Sequence, residues 1–393
     1  MENLPKSGAV RRARYILEGI AVLLLLALVV AAGALHWTRP APAYTAQPAS
    51  MDETVYARVL SVRREESMLD QSGLVQVMQE LTLEIRSAGA YAGQQIEVTY
   101  NGLGPSLETV RFKPGQLALV MISQRGDGAV FYAVADHVRW WPLAGLAAFF
   151  AVVTVVVGRW QGLRALLGLA LGGVMIGGFI LPQILALRDP VWVSVVGTAL
   201  LMAVTLYLIQ GWNPIAHTAL LGLLVSLALT GLLAFLWTRL SYLTGFGSEE
   251  TLYLQAIGVG LGMRGLLLAG MIIGAAGVLD DVVLAQAVTV YEIAGVAPEL
   301  SSWKLYQRGM KVGVAHLASM VNTLVLAYAG AALPLMILFY LFPEPWYLTI
   351  NRELIAEEII RTLVGSLGLM VAVPLTSAIA AWAAPRLMAE SAK

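Results

Sequence analysis

Residues 214–238 read PIAHTALLGLLVSLALTGLLAFLWT, an unbroken run without a single charged side chain. At about 1.5 Å of rise per residue, such a helix outreaches the roughly 30 Å hydrocarbon core of a bilayer. It is apolar all round, so it belongs in lipid. Working outward from it, Gly19–Thr38, Trp140–Gly158, Ala165–Leu187, Pro190–Ile209, Val312–Pro343 and Thr362–Pro385 are equally free of charge. Gly265 to about Ala285 is apolar except for Asp280 and Asp281. The reading is a polytopic α-helical membrane protein of about eight transmembrane helices.

Composition agrees. Of 393 residues, 58% are apolar and 13% charged, against about 45–50% and 25% in soluble domains, and the mean hydropathy is +0.74. A single soluble globule and a disordered tail are both excluded. Lysine plus arginine equals aspartate plus glutamate at 25 each, so nothing attracts a nucleic acid overall. The absence of cysteine removes disulfides, thiolate zinc and cysteine nucleophiles. The four scattered histidines leave little for a multi-histidine site, and no metal or cofactor is expected.

Orientation follows from the basic residues. With the N-terminus inside, the cytoplasmic segments hold Lys6, Arg11, Arg12, Arg14, Arg159, Arg164, Lys304, Arg308, Lys311, Arg386 and Lys393. The opposite loops hold Arg188, Arg239, Arg264, Arg352 and Arg361. The positive-inside rule then puts both termini in the cytoplasm. Trp37, Trp140, Trp141, Trp160, Trp192, Trp212, Trp237, Trp346 and Trp382 fall near the span ends, where indole prefers to sit. The expected organisation is a cytoplasmic N-terminus (1–15), an anchor (16–37), an extracytoplasmic β domain (38–139), a seven-helix bundle (140–385) and a cytoplasmic C-terminus (386–393). A signal peptide cut near Ala32-Gly33-Ala34 is the rival for the first span, but its uncharged run is longer than a usual signal core. Arg264 in mid-membrane would cost at least about 2.5 kcal/mol, so the sixth span is started at Gly265.

The polar region after the first span begins with a proline-containing linker, Thr38–Ser50. Strand-like runs follow at Thr54–Ser61, Val75–Ile85, Gln95–Tyr100, Leu117–Ser123 and Val130–Ala135. Residues 79–85 alternate as a strand with one wet face does. Gly102, Gly104-Pro105, Pro114-Gly115 and Gly126-Asp127-Gly128 supply turns. Five short strands predict a small barrel of the oligonucleotide/oligosaccharide-binding (OB) or SH3-like shape. It contains no paired acid and base, and is expected to dock a protein partner or a substrate.

Within the bundle, Gly168, Gly172, Gly173, Gly177 and Gly178 share one span, while Gly270, Gly274 and Gly277 share another. Small residues about four apart let helix backbones approach in lipid. Residues 260–265 match GxGxxG, but no strand and βαβ context surrounds them, so a nucleotide site is rejected. The informative residues are Asp280 and Asp281, because intramembrane charge is rare and usually functional. Glu292 continues the Asp281 face. Gln286, His316, Asn322 and Thr323 are expected at the same depth, so that these four and the two aspartates converge on one inner polar cavity, with Glu292 completing the candidate site. The alternatives are a wetted helix end and a structural pair with Lys304 or Arg308.

Two stretches, RGLLLAGMIIGAAGVLDDV (264–282) and SMVNTLVLAYAGAALP (319–334), resemble the YibE/F-like family of bacterial membrane proteins. The resemblance covers most of the chain and implies a multispan protein of the bacterial plasma membrane. Where the family often has Arg-Asp before the histidine, this chain has Val314-Ala315-His316. A transporter or export component with a polar intramembrane site, suited to proton coupling, is the leading expectation. A scaffold or signalling protein whose β domain senses a partner is the alternative. An enzyme is not expected, since the deep aspartates neighbour each other on one helix and no His-Glu-x-x-His occurs. Oligomeric state is not legible.

Overall fold

The computed structural model describes residues 53–388 apart from 70–72, 88, 105 and 125–129, together with Ile16, Ile20, Ala27 and 30–34. The linker and the 126–128 turn lie outside the described residues, as do Pro105 and much of the first span. The chain divides into two compact units, residues 44–156 and residues 1–43 with 157–393.

The first unit contains five strands, β1 (Glu53–Leu69), β2 (Val75–Ile85), β3 (Gln95–Gly104), β4 (Leu117–Gln124) and β5 (Val130–His137), with a short helix α1 (Leu107–Val110) between β3 and β4. All pairings are antiparallel, in the order β3-β2-β1-β4-β5. The sheet curls until β3 and β5 approach, a nearly closed barrel. β1 runs eight residues past the expected Ser61, through Arg63, Arg64, Glu65 and Glu66. Its far half finds a ladder partner in β2, Glu65 opposite Gln79 and Leu69 opposite Val75, after two register shifts. Alternate side chains of every strand fill the interior, among them Val55, Val59, Leu81, Leu83, Val98 and Ile122.

One buried polar group joins the barrel wall to the segment after α1. Gln79 is fully buried; its Nε2 donates to the Phe112 carbonyl at 3.0 Å and its Oε1 accepts from the Phe112 amide at 2.7 Å. The amide side chain so replaces a missing strand neighbour. Phe112 then stacks on His137, ring centroids 3.9 Å apart.

Helix α2 (Trp140–Met175) crosses the division between the units; Arg159 has non-helical angles (φ 50°, ψ −128°), marking the break between the two runs read from sequence. A π-helical turn (Ile176–Ile180) and α3 (Leu181–Leu185) continue it. The second unit then holds α4 (Pro190–Gln210), α5 (Pro214–Leu240), α6 (Glu249–Ala256), α7 (Met263–Val296), α8 (Ser302–Ala331), α9 (Leu333–Leu341), α10 (Trp346–Asn351) and α11 (Glu353–Met388). Six helices among the described residues are long and apolar enough to cross a membrane, with 140–185 counted once. This is a multi-pass architecture.

The helix starts are local chemistry. Asp189 Oδ1 accepts from the amides of Val191 and Trp192, Asn213 Oδ1 accepts from Ala216, and Pro190 and Pro214 occupy first-turn positions that need no donor. Arg264 lies in the first turn of α7, where its Nε donates to the Leu243 carbonyl at 2.8 Å, so its charge stays at the helix end. α7 is the central helix, packed against α4, α5, α8 and α11. Ile272, Ala276, Leu279 and Val283 from it join Leu223, Leu227, Leu369 and Val373 in the main core.

Candidate functional site

Of the seven polar residues picked out in the sequence, one is fully enclosed. Gln286 on α7 is 3% exposed, and its Nε2 donates to the Gly309 carbonyl of α8 at 2.9 Å and to Ser377 Oγ of α11 at 2.6 Å. It is a three-helix junction. Gly309 and Gly313 make room for it: a Cβ on Gly313 would fall 2.7 Å from Gln286 Oε1. One helical turn further, Tyr291 Oη meets Thr218 Oγ1 of α5 at 3.1 Å.

Asp280 is half-buried, with Oδ1 enclosed and without a hydrogen-bond partner. Asp281 is exposed, as is Glu292 on the same face. The antiparallel α7–α8 pair, with Gly274 beside Tyr328 and Gln286 beside Gly309, brings Asp280 and Asp281 level with the Leu317–Met320 stretch of α8. His316, Asn322 and Thr323 are therefore near the aspartates in depth, but all three are exposed on the outer side of α8. The expected convergence of six of these side chains, all but Glu292, does not occur in this structure. The rotation of α8 decides it: Gly309, Gly313 and Leu324 turn inward, which leaves the polar positions between them facing out.

The glycines divide in the same way. Gly168 lies against Thr205, Gly172 touches Leu201, and Gly274 approaches Tyr328. Gly173, Gly177, Gly270 and Gly277 have nothing within 4 Å of a modest side chain's first carbon. The tight glycines of the α5–α11 contact lie outside those clusters. A Cβ on Gly222 would lie 2.5 Å from Thr376 Oγ1, and one on Gly368 would lie 2.3 Å from Thr230 Oγ1. The α5–α11 contact depends on both. An aromatic cluster around the buried His217 at the α4–α5 turn was also missed: His217 Nδ1 and Tyr207 Oη are 2.9 Å apart, and the exposed Trp212 stacks on Tyr207. Its only sequence signal is a histidine inside an otherwise apolar span.

A cavity of about 670 Å³ is lined by apolar side chains such as Val191, Trp192, Leu227, Leu232 and Ile272. Ile272 precedes Asp280 by more than two turns, so this cleft and the acid are separate features.

The sequence model of the YibE/F-like protein family matches residues 146–386, more than half of the chain, and the chain belongs to that family. No curated protein and no solved structure matches it.

Proposed function

We propose that this YibE/F-like chain is a transporter or export component of the bacterial plasma membrane, with a proton-exchanging carboxyl in its central helix. The observation that carries this reading is Asp280, an acid with an enclosed, unpartnered oxygen on the helix that every other core helix packs against. An unpaired polar atom in that position is costly to keep. A structural ion pair would have given it a partner. The role falls to Asp280 and not to its exposed neighbour Asp281, and Gln286 sets the helix rotation that holds it.

The reading includes eight spans with both termini cytoplasmic, and a β domain on the outer side. In that domain β1 pairs with both β2 and β4, and α1 lies between β3 and β4. This connectivity supports the five-stranded, partly open Greek-key OB barrel over the SH3-like one. Its part would be to dock a substrate or a partner protein. The exposure of Asp281, His316, Asn322 and Thr323 favours a second reading, a scaffold or signalling protein in which those groups meet another protein.

The test is proton movement in liposomes holding the purified full-length protein and a pH-sensitive dye. An imposed pH gradient should dissipate faster than in empty liposomes, and Asp280→Asn should return it to the empty rate. Equal flux through wild type and Asp280→Asn would remove the carboxyl from the mechanism. No flux in either would favour the scaffold.

A further inference from the structure

We propose that the membrane unit is built of two three-helix repeats of opposite orientation, residues 162–240 and 262–388, whose first helices exchange at one shared central seat. Three short blocks recur in the same order, one in each successive long helix. GLRALL (162–167) is matched by GMRGLL (262–267), VGTALL (196–201) by VGVAHL (312–317), and GLLVSLALTG (222–231) by GLMVAVPLTS (368–377). Equivalent helices stand three crossings apart, and an odd number reverses their direction, as in inverted-topology repeats.

The contacts obey the same relation. Exchanging α5 with α11 turns the Gly222–Thr376 approach into the Gly368–Thr230 approach, and both exist, at 2.5 and 2.3 Å from the glycine's missing carbon. An antiparallel crossing places 230 opposite 368 once 222 faces 376; the repeat adds that both meetings pair a glycine with a threonine at equivalent block positions. Each second helix also meets its own repeat's first helix at a glycine: Ile180 is 2.7 Å from a Cβ placed on Gly197, and Gln286 is 2.7 Å from one placed on Gly313, where Val373 of α11 is nearer at 2.5 Å.

The first helices break the symmetry. α7 lies across both third helices: Val283 is 3.2 Å from the Gly222 position, Ile272 is 3.8 Å from Gly231, and Gln286 bonds Ser377. Its counterpart, 162–185, packs along α4 through Gly168 on Thr205, leaving Leu169, Val174 and Leu181 exposed. The two-fold axis carries the α7 seat on α5 into a seat for 162–185 on α11. Since α7 already covers both, one seat holds one helix at a time. The π-helical turn at Ile176–Ile180 gives the incoming helix a place to change register. Two alternately filled states are what a transporter needs; the exchange rests on the transport reading, whereas the repeat itself does not.

The chain has no native cysteine, so disulfide trapping in membranes of cells making the full-length protein tests the exchange. Gly231→Cys with Ile272→Cys reports the described seat. Its two-fold equivalent, Gly172→Cys with Ser377→Cys, reports the exchanged one, and Gly173→Cys with Ser377→Cys serves if Gly172→Cys lowers abundance. Both seats should give intramolecular disulfides under mild oxidation, and locking the first should stop proton flux in the dye assay. A link at 231/272 with none at either second-seat pair overturns the exchange, as does a second-seat link that runs between two molecules. Flux that persists in the locked 231/272 variant also overturns the exchange while leaving transport standing. Both links without flux in any variant keep the exchange and remove the transport reading.

Discussion

Asp280 and Asp281 are adjacent in the chain and live in different surroundings: an oxygen of the first is enclosed without a partner, while the second is exposed. A helix turns about 100° per residue, enough to carry one carboxylate to the core side of α7 and leave its neighbour outside. Replacing each by cysteine in the cysteine-free chain reads this directly. In detergent-solubilised protein, Asp281→Cys should react with a small maleimide at least tenfold faster than Asp280→Cys. Equal rates would mean that α7 is rotated from the position described.

Gln79→Leu should destabilise the β domain by about 3 kcal/mol, because it strands the buried amide and carbonyl of Phe112. Urea unfolding of residues 51–139 expressed alone measures the loss. The wild-type fragment should give a β-type circular-dichroism spectrum.

Gly368→Ala should cost about 1–3 kcal/mol by forcing α5 and α11 apart, and Thr230→Ala in the same chain should recover most of it. Gly173→Ala, with open space around it, should be neutral. Thermal aggregation in detergent distinguishes the three.

Asp136 is held below the ordinary carboxylate range, chiefly by the hydrogen bond from Arg139, 2.8 Å from Nη2 to Oδ1. Its contribution to β-domain stability is complete above the unfolded carboxylate pKa of about 3.9 and is lost as the pH falls through the lower folded value. Asp136→Asn should therefore lower the melting temperature of the fragment slightly at pH 6. The difference should shrink toward pH 2.

The orientation is open to labelling in intact cells. Cysteines at Ser248 and Asn351 should react with an impermeant thiol reagent from outside, and one at Ser302 only after permeabilisation. Outside reaction at Ser302 would overturn the eight-span topology.

Much of the architecture lies on the surface of the sequence, because charge-free length and two-residue alternation are properties of single segments. The strand starts at Val75, Gln95, Leu117 and Val130 are read as they stand. β1 outruns its reading because a ladder partner, which no local rule contains, outweighs the charges at 63–66. The site was harder. Asp280 and Gln286 are visible as polar residues in an apolar run, but which carboxylate faces inward depends on how neighbouring helices are rotated. His316, Asn322 and Thr323 fail to join them for the same reason. Glycine clusters draw the eye at Gly270 and Gly274, yet the helices lean on Gly222 and Gly368, whose partners lie far away in sequence and become visible only as contacts.

The loop after α5 is held by a residue from the last helix. Glu353 accepts from the amide and hydroxyl of Thr244, 109 residues earlier, and from the amide of Gly245, 108 residues earlier, and a Cβ on Gly245, at φ +86°, would run into the Met263 backbone. During synthesis these amides wait for a carboxylate that emerges only with the final span. The loop thus acts as a completion mark: a chain cut short before residue 353 leaves it unlatched and its donors open to water, a local difference by which proteolysis would tell finished chains from unfinished ones.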